Sequence, residues 1–99
     1  MTSSGTRWTL VYAASAARQI RKLDRSVLVR VRHACDELAR DPERGKPLQL
    51  SLRGLRSWRT GDFRIVYRII RQEVQILVVA IGHRREVYAL VERLLRRRS

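Results

Sequence analysis

The sequence predicts an α+β domain in which a helical hairpin and a C-terminal helix pack on a small, mostly antiparallel sheet, in the order β-α-α-β-β-β-α. Three observations carry that expectation. Apolar spacing is helical between residues 13 and 40, alternates like a strand between 55 and 81, and turns helical again after Gly82. The turn signals TGD and RQE cut the middle stretch into three runs of hairpin length. No repeat, low-complexity tract or linker interrupts the 99 residues, so a single domain spanning 1–99 accommodates one modest core.

Residues 1–6 are polar and are expected to fray. WTLVY (8–12) alternates and is rich in β-formers, which predicts a first strand. AASAARQIRKL (13–23) reads as a helix with Ala13, Ala16, Ala17, Ile20 and Leu23 on one face. Asp24 and Ser26 are suited to cap a second helix. Its stripe is Val27, Val31, Ala34 and Leu38, and Asp41-Pro42 stops it. ERGKPLQLSL (43–52) reads as loop. LRSWR, FRIVYRII and VQILVVAI then form an antiparallel meander, whose last run is almost continuously apolar and therefore central. Gly82 lets the chain leave that strand sharply. Val87, Leu90, Val91, Leu94 and Leu95 make a clean amphipathic stripe, and RRRS places cations where a helix dipole favours them. The helices are expected to cover one face of the sheet.

Lysine and arginine number 22 against 9 acids, a net charge of +13, and only Lys22 and Lys46 are lysines. Arginine is always charged and presents a planar fork suited to phosphate, so the excess points to nucleic acid, an acidic protein, or both in turn, ahead of a membrane surface. A single cysteine, Cys35, excludes an internal disulfide and fits a reducing cytosol. The N-terminal MTSSGTRWTLVY lacks a signal-peptide apolar run, and no stretch approaches the ~18 apolar residues of a membrane span, so a cytoplasmic protein is expected. His33, His83 and Cys35 have no metal-ligand spacing, no glycine-rich phosphate loop is present, and no serine triad is indicated. Neither a metal nor a cofactor is expected.

The TGD turn fixes a geometry. With Gly61-Asp62 as a two-residue loop, Thr60 faces Phe63, Arg59 faces Arg64 and Trp58 faces Ile65. Trp58, Phe63, Ile65 and Tyr67 then share the core side, while Arg59, Arg64 and Arg68 point the other way. Like charges directly opposite on a sheet are destabilising. Either an anion sits between Arg59 and Arg64, or the two splay into solvent. VVAIGHRREVY (78–88) adds to them: it delivers His83, Arg84, Arg85 and Tyr88 to a sheet edge or a helix start. Arg84 and Tyr88 are four apart, hence on one face if the helix begins that early. A concave patch of Arg59, Arg64, Arg84 and Tyr88 follows.

GLRSWRTGDFRIVYRI followed by ILVVAIGHRREVY closely resembles the core of the RelE/ParE superfamily of toxin–antitoxin toxins, in particular its RelE-like ribonuclease branch. The resemblance covers nearly the whole chain, and the element order agrees. It implies a toxin that cleaves mRNA in the ribosomal A site, inhibiting translation, by attack of a ribose 2′-oxygen on its own phosphate, with no metal. Carried over by position, Arg64 would hold the scissile phosphate, Arg84 would lie near the phosphate and leaving group, and Tyr88 would orient or deprotonate the 2′-hydroxyl and stack on a base. Arg59 matches one of two basic positions on the strand before the turn; the other is Ser57. Arginine is no base, so Arg59, Arg64 and Arg84 take electrostatic roles. His83 is a rival proton acceptor, since histidine ordinarily titrates near neutrality. Arg56, Arg68 and Arg85 are candidates for RNA contact. The resemblance also implies a cognate antitoxin, expected to carry an acidic neutralising segment, and a complex that binds operator DNA through that antitoxin.

Two other readings share these residues. One is a gyrase-inhibiting toxin of the ParE branch, using the fold as a binding module. The other is a nucleic-acid-binding module without chemistry.

Overall fold

The computed structural model describes residues 7–97; the fraying expected of residues 1–6 and the end of the terminal arginine run lie outside the described residues. The elements are β1 (Thr9–Tyr12), α1 (Ala14–Arg21), α2 (Arg25–Arg40), β2 (Lys46–Pro47), β3 (Arg56–Thr60), β4 (Phe63–Ile70), β5 (Gln75–His83) and α3 (Glu86–Arg97). The fold is α+β, and every expected element is present. The sheet runs β1-β5-β4-β3-β2, antiparallel except where β1 pairs with β5 in parallel. β5 is thus flanked on both sides, as its apolar run requires.

The sheet carries a core on each face. Ile65, Tyr67, Ile76 and Val78 meet Val31, Ala34 and Leu38 of the helical hairpin on one side. Val66 and Ala80 meet Val87 and Val91 of α3 on the other, with Leu52 and Leu55. The expectation of helices on a single face is corrected: α3 covers the face opposite the hairpin. A stripe shows that a helix buries one side, not which side of a sheet receives it.

Three local features depart from the sequence reading. The 43–52 segment contains β2, two residues pairing with β3, too short to show a period. Asp24 occupies the N-cap of α2, yet its side chain makes no capping bond. The chain does not leave β5 at Gly82; the strand continues to His83 and turns at Arg84, whose φ of 53° is left-handed. Gly82 has a different task. A Cβ there would lie 2.9 Å from Val87 Cβ, so the glycine is what lets α3 approach β5.

Polar side chains finish the sheet where strands run out. β1 stops opposite Val78, and α1 takes over beyond it: Ser15 Oγ donates to Val79 O at 2.7 Å and Ile81 N–H donates to Gln19 Oε1 at 2.7 Å. The buried Tyr67 hydroxyl donates to Pro42 O at 2.6 Å and accepts from Gly45 N–H at 3.1 Å, fixing the segment that leads into β2.

Candidate active site

The β3–β4 register matches the one the two-residue turn dictates: Thr60 with Phe63, Arg59 with Arg64, Trp58 with Ile65. β4 and β5 add Arg64 opposite Gly82 and Phe63 opposite His83. Arg59 and Arg64 therefore project from the α3 face, at the end of the sheet where β5 hands over to α3.

There they line a groove of about 370 Å³ together with Gly61, Asp62, Arg84, Arg85 and Glu86. Four guanidinium groups stand in it against two carboxylates. Arg59 Nε donates to Gly61 O at 3.1 Å, holding its head at the turn. The backbone N–H of Arg84 donates to Asp62 O at 2.6 Å, and its side-chain Nε lies 3.9 Å from Asp62 Oδ1. The left-handed backbone at Arg84 and the bond to Asp62 fold the 84–86 turn back over the β3–β4 turn, closing one wall of the groove. α3 begins only at Glu86, so Arg84 and Tyr88 do not share a helical face. They reach the same region by different routes.

Tyr88 is joined to the groove through Arg64. Arg64 Nη1 donates to the Tyr88 phenolic oxygen at 3.4 Å, and its guanidinium carbon sits 5.8 Å from the ring centroid. The phenol in turn donates to Ser57 Oγ at 3.0 Å. Arg59, Arg64, Arg84, Arg85 and Tyr88 thus come together.

His83, Arg56 and Arg68 do not. His83 sits on the Phe63 side of the strand, ring centroids 5.4 Å apart in an edge-on contact; it does not line the groove and meets its edge only through Asp62, whose Oδ2 lies 3.9 Å from His83 Nε2. Arg56 pairs with Tyr67 and so faces the hairpin side. It donates to Glu43 O at 3.0 Å and Gly45 O at 2.8 Å, tying the segment before β2 to the sheet. Arg68 lines a separate cavity of about 440 Å³ with Arg18, Leu77 and Leu94.

Spacing alone gives Asp62, Glu86 and Ser57 no part in this site. Asp62 is legible in retrospect, because the loop that opposes Arg59 and Arg64 must hold it beside them. Glu86 depends on where α3 starts, which periodicity does not fix. Among the described residues no three His, Cys, Asp or Glu side chains gather to hold a metal ion, and no helix is long and apolar enough to cross a membrane. Chemically, the groove offers fixed cationic donors to a phosphodiester, with a phenol joined to it through Arg64.

A family model described as the ParE toxin of the type II toxin–antitoxin system, parDE, matches residues 10–88. Toxin RelG of Mycobacterium tuberculosis is 34% identical over 83 residues, spanning 82% of this chain and 95% of that toxin. Toxin RelE of the same organism is 35% identical over 83 residues, spanning 78% of this chain and 81% of that one. A chain of the RelBE2 toxin–antitoxin complex from M. tuberculosis superposes with a TM-score of 0.76 at 32% identity, covering 81% of this chain and 94% of its own. The isolated E. coli RelE toxin shares the fold, with a TM-score of 0.68 at 20% identity over 90% of this chain and 97% of its own. The chain belongs to the ParE toxin family of type II toxin–antitoxin systems, and its relatives are RelE-type toxins.

Proposed function

We propose that this toxin is a ribosome-dependent endoribonuclease that cleaves mRNA in the A site and is neutralised by a cognate antitoxin. The observation that carries the reading is the groove itself: Arg59, Arg64 and Arg84 converge on one space, and Arg64 touches the Tyr88 phenol. In the reaction the 2′-hydroxyl loses its proton to Tyr88 acting as phenolate, and the freed oxygen attacks the adjacent phosphorus. The 5′-oxygen leaves and takes a proton from solvent. The products are a cyclic phosphate and a 5′-hydroxyl end. Charge builds on the non-bridging oxygens at the pentavalent stage, where preorganised guanidinium groups stabilise it without reorganising. Neither side chain lines the groove itself; Tyr88 is favoured over His83 as acceptor because its oxygen is hydrogen-bonded by the phosphate-facing Arg64, whereas His83 stands on the Phe63 side of the strand with its Nε2 3.9 Å from the Asp62 carboxylate.

Incubating programmed ribosomes with the protein and mapping new 5′ ends tests this reading. Cuts in the A site that vanish in Arg64→Ala and Tyr88→Phe support it; an intact message in the presence of folded protein refutes it. The family description favours one alternative, gyrase inhibition in the manner of the ParE branch, and supercoiling inhibition without RNA cleavage would establish that instead. RNA bound but uncut, with a steep salt dependence, would mark a binding module.

The partner side of the proposal rests on relatives solved as toxin–antitoxin complexes and on the +13 charge. An antitoxin with an acidic segment lowers the self-repulsion of the free toxin. The complex binds operator DNA through the antitoxin, and the free toxin acts in the cytoplasm on ribosomes. A neutralising segment that proves neutral or basic would count against this account.

A further inference from the structure

Ser57 is a polar residue that a purely cationic account of the groove leaves without a task. It lies in mid-β3 with 7% exposure and pairs with Val66. It therefore projects from the face that carries Arg59 and Arg64, toward α3. A hydroxyl so placed needs a partner. Its Oγ accepts the Tyr88 phenol at 3.0 Å, while Arg64 Nη1 donates to the same phenolic oxygen at 3.4 Å. The phenol is thus gripped by side chains from two adjacent strands, and α3 contributes only the residue being gripped.

We propose that Ser57 is the positioning residue of the site, acting through Tyr88; the proposal rests on the nuclease reading of the same groove. The reason is the dual hydrogen-bonding character of a hydroxyl, which both donates and accepts. With Tyr88 as a phenol, Ser57 accepts its proton-bearing bond. With Tyr88 as a phenolate, the Ser57 hydroxyl rotates and donates to the anionic oxygen beside the Arg64 N–H. One small side chain serves both states of the proton acceptor with no heavy atom moving. An ammonium group has three donors and no acceptor, so it would serve the phenolate and repel the phenol's proton. A methyl group would serve neither.

Single-turnover cleavage of programmed ribosomes by the wild type, Ser57→Ala, Ser57→Thr and Ser57→Val tests the assignment. Threonine and valine have nearly the same shape and differ in the hydroxyl, so their comparison stands even if alanine loosens the strand. The second readout is the Cζ resonance of Tyr88 in free, 13C-tyrosine-labelled protein, identified by its absence in Tyr88→Phe. The maximal rate should fall roughly ten- to hundredfold in the alanine and valine variants, the loss of one buried hydrogen bond. Half-saturation by ribosomes should stay unchanged, and threonine should recover most of the rate. The Tyr88 resonance should move in alanine and valine and return in threonine. Equal rates in the threonine and valine variants, or full activity in alanine, would overturn the proposal while leaving the nuclease reading intact. A wild type that cuts no message defeats the nuclease reading instead. In that event an unmoved resonance overturns the role of Ser57 too, and a moved one upholds it as the residue that positions Tyr88 for whatever anion the groove takes.

Discussion

Replacing Arg64 with alanine should abolish function while leaving the fold almost untouched, and the structure explains why the two effects separate. Arg64 stands directly opposite Arg59 on the β3–β4 ladder. A like-charged pair in that position costs about 0.2–1 kcal/mol, which alanine removes. Little that is favourable goes with it. The bond from Nη1 to the Tyr88 oxygen is long at 3.4 Å, and the guanidinium lies 5.8 Å from the ring centroid, close to the outer limit for a cation–π interaction. Together these contribute about 0.5–1 kcal/mol. The two effects oppose each other, so the net change in folding free energy should stay within about 1 kcal/mol, a Tm shift of no more than about 8 °C for a domain this small. Cleavage of programmed ribosomes should fall by about 10²–10³-fold, as when one preorganised donor is removed from a developing oxyanion. Salt supplies an internal control: screening relieves the Arg59–Arg64 repulsion, so added salt should stabilise the wild type more than the variant. Arg64→Lys should keep the salt response and lose much of the rate, because it keeps the charge and not the fork. A variant that loses more than about 3 kcal/mol of stability, or cuts within about tenfold of the wild type, would refute the reasoning.

Two further predictions concern the hairpin side of the sheet. Tyr67→Phe takes away the hydroxyl that bridges the Pro42 carbonyl and the Gly45 N–H; urea unfolding followed by tryptophan fluorescence should show a loss of about 1–3 kcal/mol, and an unchanged midpoint would contradict it. Burial pushes the Cys35 thiol up to about 11, with the Asp36 carboxylate adding to the shift. The Tyr12 hydroxyl beside it is also raised, chiefly by burial and then by Cys35. A folded-state value above the unfolded one favours the neutral thiol, so its stabilisation is complete below the ordinary thiol range and is lost as pH rises through about 11. Unfolding free energy should therefore decline between pH ~9 and ~11 by an amount on the order of 2 kcal/mol, and Cys35→Ala should flatten the decline. A wild-type profile as flat as the variant's would sink that account.

How much of this was legible in the sequence depends on how far each inference had to reach along the chain. The Arg59–Arg64 pairing was legible because a two-residue turn leaves one register open. The same alternation also disposes of Arg56: it lies three residues from Arg59, an odd step along a strand, and so falls on the other face. His83 was harder. Its side of β5 follows from the β4–β5 register, and that register slips where Val66 pairs with Ala80 and Tyr67 with Val78, leaving Val79 bulged. Nothing in VQILVVAI announces a bulge. Only a helix starting before Arg84 would bring Tyr88 and Arg84 onto one face, whereas α3 starts at Glu86 and the link runs through Arg64 and Ser57 instead. Ser57 read as a missing cation because sequence shows the charge a residue lacks, not the hydrogen bond that a facing helix brings to it.

The seating of α3 against the sheet is then the point on which fold and site depend together, and Gly82 tests it. Gly82 has no left-handed backbone requirement, so alanine there should by chain entropy alone stabilise the strand, by about 0.4–1 kcal/mol. The neighbouring helix reverses the sign. The added Cβ would stand 2.9 Å from Val87 Cβ, 3.2 Å from Val87 Cγ2 and 3.3 Å from its Cα, and the last of these is backbone that no rotamer change can move aside. The first turn of α3 has to lift, at a cost of about 1–3 kcal/mol typical of overpacking. Tyr88 follows Val87 by one residue, so the same displacement stretches the phenol away from Ser57 and Arg64, whose bonds to it already measure 3.0 and 3.4 Å. Gly82→Ala should thus lose both stability and cleavage, and its cleavage should stay low at temperatures where calorimetry shows it fully folded. Stabilisation in place of loss would mean that α3 is not seated against Gly82, and the geometry that brings Tyr88 to Arg64 would fall with it.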